Sequence, residues 1–373
     1  MKKHPDYILL GDIIGLLILG IIVLASVSAA ISEEYVGNTY YFLKHQLLFG
    51  FFPGIVLAYI AFWMPLTFFK KWSFAFLLVS LFLMILVFMP HIGFAAGGAA
   101  RWIKIGSFTI QPSEFLKLTF LIYLSLWLAN HIPQKGKSSI EKARGGHGFG
   151  QTLIGFLMIL GIISLLLISQ PDVTTLGIII FSAIIMYFLA ETPLWHMFLI
   201  FFLGAGSLAF LIKVASYRLK RILVFLNPDI DPMGIGYQIK QALITVGSGG
   251  IFGLGLGMSG QKYGFLPESM SDSIFAVFAE ETGFIGAIIL IFLFLIFLWQ
   301  GFKIARNSQD KFSKLLAVGI TSWIIIQAFV NIGSMISIFP LSGVPLPFIS
   351  YGGSALVMEL IGIGLLLNIS RNT

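Results

Sequence analysis

The sequence of 373 residues contains no cysteine and few charged residues. Without cysteine the chain forms no disulfide, and it offers no thiolate for a metal ion or for nucleophilic catalysis. Asp, Glu, Lys and Arg together make up only 10% of the residues, whereas 58% are hydrophobic. A soluble domain of this length would have to expose much of that apolar surface to water. The composition therefore indicates an integral membrane protein.

Several common catalytic motifs are also missing. The six histidines lack the spacing of a metal site, and no serine lies in a G-x-S-x-G setting. Gly255, Gly257 and Gly260 match G-x-G-x-x-G, but no strand precedes them, which argues against a dinucleotide site. The GSGG stretch at 247–250 lacks the Lys-Ser/Thr ending of a phosphate-binding loop. The scattered basic residues give no support for nucleic-acid binding.

Apolar runs long enough to cross roughly 30 Å of hydrocarbon as helices recur along the chain. They predict an all-α polytopic membrane protein with about ten transmembrane helices in a single domain, residues 1–373. The predicted spans cover 10–31, 44–63, 72–90, 112–130, 151–169, 173–190, 194–215, 273–299, 313–337 and 346–369. The N-terminal MKKHPDYILLGD resembles a signal peptide, but no small-residue cleavage site follows, so we expect an uncleaved first span. One long loop, 216–272, connects the seventh and eighth spans.

The distribution of Lys and Arg predicts the orientation. The positive-inside rule favours a cytoplasmic N-terminus and C-terminus, with the long loop outside. The cations that this orientation places in the cytoplasm are Lys2, Lys3, Lys70, Lys71, Lys135, Lys137, Lys142, Arg144, Lys303, Arg306, Lys311, Lys314 and Arg371. The short loops opposite keep only Lys44, Arg101 and Lys104.

The long loop departs from this trend because it carries cations of its own. They are Arg218, Lys220, Arg221, Lys240 and Lys262. Either these side chains bind an anion, or a loop of this length partly escapes the positive-inside rule. The stretch YRLKRILVFLNPD alternates cations with bulky apolar residues, which is typical of a segment lying in the membrane interface.

Charged residues within the spans are expensive and therefore informative. Glu114 and Lys117 lie three residues apart at the start of the fourth span, so we predict that they share a helix face and pair inside the bundle. Asp172 follows a proline at a tight turn, where it either caps the next helix or takes part in chemistry. Glu359 lies deep in the last span and needs a partner that the sequence does not reveal.

The segment FLPESMSDSIFAVFAEE at 265–281 concentrates carboxylates at the start of an apolar helix. Its acidic residues are Glu268, Asp272, Glu280 and Glu281. Pro267 and Ser269 predict a helix start there, which would place Glu268 and Asp272 one turn apart. The helix macrodipole accounts well for Glu268. It accounts less well for Asp272, which leads into an apolar helix that carries two more acids.

These stretches together resemble the SEDS family (shape, elongation, division and sporulation), the peptidoglycan glycosyltransferases typified by FtsW and RodA. The matching segments are RWIKIGSFTIQPSEFLKL, SQPDVTTLG, YRLKRILVFLNP, GSGGIFGLGLGMSGQKYGFLPESMSDSIFAVFAEETGFIGA and GVPLPFISYGGS. The YRLKRILVFLNP and QKYGFLPE segments resemble the division protein FtsW more closely, whereas GVPLP leans toward RodA. Two positions depart from the family pattern, since Thr174 and Ser337 stand where glycine is usual. Both departures affect turns and neither removes a charge.

The resemblance implies that the chain polymerises lipid II, the undecaprenyl-pyrophosphate-linked disaccharide peptide. The reaction would take place on the outer face of the bacterial cytoplasmic membrane, during septal division or cell elongation. Asp272 matches the family's essential aspartate, either as the base that activates the acceptor 4-hydroxyl or as a ligand of Mg²⁺ or Mn²⁺. Glu114 and Lys117 match the residues that line the cavity near the site, and Asp172 matches the QPD aspartate.

Basic side chains are candidates for holding the leaving pyrophosphate. The candidates are Arg101, Lys104, Arg218, Arg221, Lys240 and Lys262. Arg101 and Arg218 rank first because they lie in the matching motifs. Glu268, Glu280 and Glu281 are expected to shape the field of Asp272, to cap the helix or to position neighbouring groups. By analogy with the family, a single displacement inverts the anomeric carbon.

The implied partners are a class B penicillin-binding protein, which is a transpeptidase, and other divisome or elongasome proteins. Gly283 and Gly286 would permit close approach of a partner helix, or they pack within the bundle itself. A competing hypothesis is a lipid II flippase, against which no inverted repeat is visible in the sequence. A third hypothesis, a scaffold for division proteins, would not explain the acidic cluster.

Overall fold

The computed structural model describes residues 4–96, 99–105, 108–132, 149–214 and 216–372. The helices in these ranges are α1 (Tyr7–Val36), α2 (Tyr41–Gln46), α3 (Phe52–Trp63), α4 (Leu66–Leu86), α5 (Pro112–His131), α6 (Phe149–Ser169), α7 (Val173–Leu189), α8 (Leu194–Val214), α9 (Ser216–Leu226), α10 (Ile235–Ser248), α11 (Ile274–Asn307), α12 (Lys311–Met335) and α13 (Gly353–Arg371). A π-helical turn, Leu47–Phe51, joins α2 to α3, and a 3₁₀ turn, Pro228–Ile230, lies between α9 and α10. The strands are β1 (Gly93–Ala96), β2 (Ala99–Ile105) and β3 (Phe108–Ile110).

Every predicted span overlaps one of these helices, so the polytopic helical fold is confirmed. Of the described helices, 7 are long and apolar enough to cross a membrane. They are Tyr7–Val36, Tyr41–Trp63, Leu66–Leu86, Gly150–Ser169, Ile274–Asn307, Lys311–Met335 and Gly353–Arg371. Val173–Leu189 and Leu194–Ser207 are shorter apolar helices. The loop 216–272 contains α9 and α10.

A small antiparallel sheet is the main feature that an all-α prediction missed. Its strand order is β1-β2-β3, and it fills the connection between α4 and α5. The pairs Phe94↔Trp102 and Lys104↔Thr109 define its register. Two candidate cations, Arg101 and Lys104, therefore lie on the central strand β2. Helix α4 also ends at Leu86, earlier than predicted, which leaves room for the sheet.

The buried core centres on α12, which is covered by neighbouring helices over most of its length. Trp323 of α12 is among the largest side chains that are fully buried. Large apolar side chains on the outer helices are instead exposed, for example Phe202 at 71% and Trp299 at 72%. An apolar exterior of this kind suits contact with lipid, because the hydrocarbon of a bilayer does not penalise it.

The alternation of helices brings the connections to two opposite ends of the bundle. At one end, which we call the termini face, the Asp6 amide donates to Ser370 Oγ at 3.1 Å, and Lys70 pairs with Asp310 at 2.9 Å. The predicted cytoplasmic cations at 2, 3, 135, 137, 142 and 144 lie outside the described residues. The opposite end, which we call the loop face, carries the sheet, the α6–α7 turn, residues 216–273 and residues 336–352.

Helix α11 is broken at Gly283, where φ is 70° and ψ is −169°. The segment after α10 inserts at this break and satisfies the freed backbone groups, as irregular backbone in a membrane requires. Leu254 and Gly255 donate to the carbonyls of residues 280 and 281, both at 3.0 Å. In return, Phe284 donates to the Gly250 carbonyl at 2.9 Å.

Glycine is required on both sides of this contact. Gly283 and Gly253 each have a positive φ, 70° and 81°. An added Cβ at Gly283 would clash with the Gly253 nitrogen, and one at Gly253 would clash with the Glu281 carbonyl. Gly283 is therefore used for packing within the bundle, one of the two roles anticipated from the sequence.

Candidate active site on the loop face

Asp272 lies in the turn immediately before α11 and is half-buried. The predicted helix start at Pro267 and Ser269 is wrong, because α11 begins at Ile274. Glu268 has a left-handed φ of 52°, which stops helix formation there. Its carbonyl instead accepts from the amide of Ser273 at 3.0 Å, closing a tight turn around Asp272.

Asn331 of α12 holds this turn in place. Its amide nitrogen Nδ2 donates to the Asp272 carbonyl at 2.7 Å and to the Val344 carbonyl at 2.8 Å. Asn331 is fully buried. Sequence reasoning missed this residue, although an asparagine inside an apolar span is the kind of costly polar group that signals a role.

The segment 336–352 forms the other wall around the aspartate. Ser350 Oγ donates to the Ser271 carbonyl at 2.6 Å, and the Tyr351 amide donates to the Met270 carbonyl at 2.9 Å. A Cβ added at Gly343 would lie 3.6 Å from Asp272 Oδ2, so the carboxylate faces this segment. The side chain is thus aimed by contacts on both flanks of its turn.

Charged residues from separate parts of the loop face act on the Asp272 carboxyl. Asp272 has a pKa raised to about 7, mainly by burial and to a smaller extent by the negative charges of Glu268 and Asp172. The positive charges of Arg101 and Arg221 act in the opposite direction on the same pKa. The structure thereby brings together five of the residues that the sequence predicted for the site. A carboxyl group that titrates near neutrality is suited to proton transfer.

Arg101 joins the sheet to the α6–α7 turn. Its Nε donates to the Gln170 carbonyl at 3.1 Å, and its Nη2 donates to the Pro171 carbonyl. Asp172 Oδ1 accepts from the Thr175 amide at 3.3 Å and caps α7, which confirms the capping alternative. A capping role leaves the carboxylate charge in place, so Asp172 still contributes to the field at Asp272.

The two departures from the family pattern both lie beside the site. Thr174 Oγ1 donates to the Ser342 carbonyl at 2.6 Å, a bond that glycine could not make. Ser337 has a φ of 55°, the left-handed region in which glycine is usual. The first departure adds a tie between α7 and the segment 336–352, and the second adds backbone strain to that segment.

Glu114 and Lys117 form the predicted pair inside the bundle, with Nζ and Oε2 2.8 Å apart and both side chains almost completely buried. Lys117 also donates to Gln327 Oε1 at 2.6 Å. Gln327 in turn donates to Glu359 Oε1 at 3.3 Å, and the Phe348 amide donates to Glu359 Oε2 at 2.9 Å. This network supplies the partner of Glu359 that the sequence did not reveal.

The other candidate cations do not all meet Asp272. Lys240 pairs with the exposed Asp229. Lys104 is exposed and lies over the Phe94 ring at 5.7 Å. The side chain of Arg218 lies outside the described residues, and Arg221 on the same helix α9 is exposed. Of the basic residues proposed for pyrophosphate, Arg101 and Arg221 therefore have the clearest electrostatic link to the aspartate.

Lys262 is buried, and its charge is already neutralised within the bundle. Its Nζ lies 2.9 Å from Glu281 Oε1 and 2.7 Å from the Gly257 carbonyl. Ser26 of α1 donates to the same carboxylate at 2.7 Å. This pairing corrects the expectation that Lys262 is available for an anion, because releasing it would leave Glu281 buried and unpaired.

Glu280 is the remaining member of the acidic cluster, and its hydrogen bonds also have a structural role. It accepts hydrogen bonds from Ser248 Oγ at 3.2 Å and from Ser259 Oγ. Glu280 and Glu281 thus tie the inserted loop to α11, while Glu268 and Asp272 belong to the site. The acidic residues at 265–281 therefore have two separate roles, one in the candidate site and one in holding the inserted loop.

The described residues contain no group of three or more His, Asp or Glu side chains placed to hold a metal ion. Glu268 and Asp272 are nevertheless close enough for the charge of one to raise the pKa of the other. A pair of carboxylates suits Mg²⁺ when a substrate supplies phosphate oxygens for the remaining positions. The donor set therefore fits an ion that arrives with a phosphorylated substrate.

The fold and the site define a multi-pass helical membrane protein. On its loop face it carries a carboxyl group whose pKa is about 7 and on which the charges of two arginines act. The chain belongs to the FtsW/RodA/SpoVE family, since the family model described as cell cycle protein matches residues 8–373.

Known relatives cover nearly the whole chain. It is 38% identical over 375 residues to stage V sporulation protein E of Bacillus subtilis, covering 99% of this chain and 98% of that protein. It is 39% identical over 367 residues to the probable peptidoglycan glycosyltransferase FtsW of Coxiella burnetii, covering 96% and 94%.

Solved structures share the fold. A chain of a peptidoglycan synthase complex matches with a TM-score of 0.74 at 24% identity, covering 99% of this chain and 98% of that one. The rod shape determining protein RodA of Thermus thermophilus matches with a TM-score of 0.67 at 24% identity, covering 99% and 97%.

Proposed function

We propose that this protein is a peptidoglycan glycosyltransferase that polymerises lipid II into glycan strands. Relatives that match almost the full chain are named as probable enzymes of this kind. The observation that carries the proposal is the placement of Asp272 on the loop face, where its carboxyl group has a pKa of about 7 and is acted on by the positive charges of Arg101 and Arg221. Transfer of a sugar from a pyrophosphate needs a base near a hydroxyl and positive charge near the leaving group.

In the proposed reaction Asp272 accepts the proton of the acceptor 4-hydroxyl as that oxygen attacks the anomeric carbon. The bond from this carbon to the pyrophosphate breaks, and Arg101 and Arg221 compensate the negative charge that leaves. A single displacement converts an α-linked pyrophosphate into a β-linked glycan. Asn331 and Ser350 act as positioning residues, because they hold the turn that carries Asp272.

A divalent cation, Mg²⁺ or Mn²⁺, is part of the proposal. Asp272 and Glu268 would hold it together with oxygens of the substrate pyrophosphate, and the ion would neutralise charge on the leaving group. When Asp272 serves as this ligand, its carboxylate must be ionised, as the base role also requires. Both roles therefore use the same protonation state of the same side chain.

The proposed setting is the bacterial cytoplasmic membrane, with both termini in the cytoplasm and the loop face outside. The placement rests on the positive-inside rule. The proposed partner is a class B penicillin-binding protein, which would cross-link the strands made here, together with other proteins of the divisome or elongasome. The resemblance of the fold to a chain of a peptidoglycan synthase complex supports a partner of this class.

The decisive experiment compares wild-type and Asp272→Asn protein, each with its transpeptidase partner, lipid II and a divalent cation. Loss of a positioned base is expected to slow glycan formation about 10²- to 10⁴-fold. Asparagine preserves the shape of the side chain, so folding and partner binding should persist in the variant. Near-normal synthesis by a folded Asp272→Asn protein would refute the assignment. Transport of lipid II without any glycan formation by the wild type would favour a flippase instead.

A further inference from the structure

Glu359 of α13 is buried, and the proposed reaction does not use it. Its two carboxylate oxygens accept hydrogen bonds from different parts of the molecule. Oε1 accepts from Gln327 Nε2 of α12 at 3.3 Å, and Oε2 accepts from the Phe348 backbone amide at 2.9 Å. An ionisable side chain inside a membrane domain is costly, so its presence indicates a role for what it holds.

The orientation of the Gln327 side chain is fixed by its other neighbours. Its Oε1 accepts from Lys117 Nζ at 2.6 Å and from Trp323 Nε1 at 3.0 Å, and both of these groups are donors only. Its Nε2 therefore points the other way, where it donates to the Pro345 carbonyl at 3.1 Å and to Glu359. Position 359 consequently needs one acceptor for this amide and a second for the backbone N–H. A carboxylate offers both, whereas the amide of a glutamine offers a single acceptor oxygen.

Residues 344–350 depend on side chains for their shape. Pro345 and Pro347 have no amide donor, so regular backbone pairing is interrupted at both positions. The intervening Leu346 amide donates to Ser350 Oγ at 2.8 Å rather than to a backbone carbonyl. The conformation of this segment is therefore set largely by the polar side chains that reach it.

Phe348 is the strained point of this segment. Its φ is 65°, a left-handed conformation that a bulky residue keeps only where its surroundings impose it. Its ring lies 6.4 Å from the Phe297 ring of α11, and its amide is held by Glu359. Removing the carboxylate would leave this amide without its acceptor, so the residue could relax toward an ordinary φ.

The same segment is bonded to the turn that carries Asp272. Ser350 Oγ donates to the Ser271 carbonyl at 2.6 Å, and the Tyr351 amide donates to the Met270 carbonyl at 2.9 Å. A shift of the segment would therefore move the candidate base without any change in the base itself.

We propose that Glu359 is a positioning residue, which holds residues 344–350 in the strained conformation that places Asp272 for reaction. This inference rests on the proposed function. Because Glu359 is buried and acts through Phe348 and Gln327, its loss should slow the chemical step and leave the binding of lipid II nearly unchanged. A glutamate with a purely structural role would affect stability alone.

The kinetic test compares two substitutions at this position, each protein with its transpeptidase partner, lipid II and a divalent cation. Glu359→Leu removes both acceptors, and kcat per folded protein should fall about 10²-fold while the KM for lipid II changes by less than about twofold. Glu359→Gln keeps the size of the side chain and one acceptor, so its kcat should fall about tenfold. The glutamine variant carries the test if the leucine variant does not fold.

The matched control lies on the same helix. Asn368 is also buried, and its side chain donates to the carbonyls of Ala61 and Met64, far from residues 344–350. Asn368→Leu therefore removes a buried polar contact of similar kind, and it should lose stability but keep kcat.

Hydrogen exchange gives a readout that does not depend on activity. Glu359→Leu should speed amide exchange about tenfold in residues 344–350 and 268–273, whereas Asn368→Leu should leave both regions unchanged. Equal losses of kcat in these two variants, full activity of Glu359→Gln, or unchanged exchange at 268–273 would overturn the inference. Faster exchange at 268–273 in a protein whose wild type makes no glycan would instead overturn the proposed function and leave the link between Glu359 and the Asp272 turn standing.

Discussion

The protonation of a single carboxyl group, Asp272, governs the proposed chemistry. Because burial raises its pKa to about 7, the group is only partly ionised at neutral pH. A base or a metal ligand must be ionised, so glycan synthesis should rise about tenfold per pH unit below the pKa and level off above it. The measurement is the pH profile of kcat with saturating lipid II. A flat profile from about pH 5 to pH 9 would contradict this assignment.

Charge variants should move this profile in opposite directions. Glu268→Gln removes a negative charge that raises the Asp272 pKa, so the rising limb should shift to lower pH. Arg101→Gln removes a positive charge and should shift the limb to higher pH. Asp229→Asn is the control, because that exposed carboxylate pairs with Lys240. Its variant should leave the limb unchanged.

The same pKa has a consequence for stability. Since the folded pKa lies above the ordinary aspartate value of 3.8, the native state binds this proton more tightly than the unfolded chain. The contribution of Asp272 to stability is therefore present at low pH and is lost as pH rises from about 4 to about 7. Asp272→Asn should consequently unfold at a higher temperature than the wild type above pH 7.

Asn331 is the second residue whose role can be measured. Asn331→Leu leaves two carbonyls, those of Asp272 and Val344, without this donor. Each buried unsatisfied carbonyl costs about 1–3 kcal/mol. Displacement of the Asp272 turn by about 1 Å is expected to lower kcat about 10²-fold. The measurement combines thermal unfolding in detergent with kcat corrected for the folded fraction.

A matched control exists on the termini face. Asn368 of α13 donates to the carbonyls of Ala61 and Met64 at 2.9 and 2.6 Å, the same kind of bridge far from the loop face. Asn368→Leu should lose comparable stability but keep kcat and its pH profile. If the two variants lose kcat equally, Asn331 has only a structural role.

Among the elements, the broken helix α11 depends most on individual glycines. Gly283→Ala is expected to lower the unfolding temperature, because it adds a Cβ at a positive φ and against the backbone of Gly253. The control Gly161→Ala lies in the regular helix α6, where an added Cβ meets nothing within 4 Å. That change should stabilise by about 0.5–1 kcal/mol. A neutral Gly283→Ala would show that the break is not structurally required.

The membrane spans could be predicted because the thickness of a bilayer imposes a length that each apolar run must meet. The sheet could not, since its strands are short and its register depends on backbone pairing within a connection. The break at Gly283 could not be predicted either, because glycine is common in transmembrane helices and hydropathy carries no information about its φ.

The candidate site divides in the same way. Asp272 was found through its resemblance to a family motif, and the Glu114–Lys117 pair through helical spacing. The helix start was misplaced because Glu268 adopts a conformation that its residue type disfavours. Lys262 was misassigned because its partner Glu281 is brought to it by a loop that folds back on α11. The role of such a residue depends on contacts between segments that are distant in the sequence, and local sequence patterns do not reveal these contacts.

At the scale of the whole molecule, the orientation in the membrane is the property to test. A cysteine at Met233, which is 90% exposed in the loop 216–272, should react with an impermeant thiol reagent in intact cells. A cysteine at the exposed Gln309 on the termini face should react only after permeabilisation. The chain has no native cysteine to cause background. The reverse pattern would invert the proposed topology.

The contact between Ser26 and Glu281 also sets an order of assembly during translation. These residues are 255 positions apart. A ribosome adding about 5–20 residues per second needs roughly 10 to 50 s to cover that distance. Until then α1 lies in the bilayer without its contact to Glu281. The first helix can therefore make this contact only after Glu281 has been synthesised, and any factor that shields exposed membrane helices has this interval in which to act.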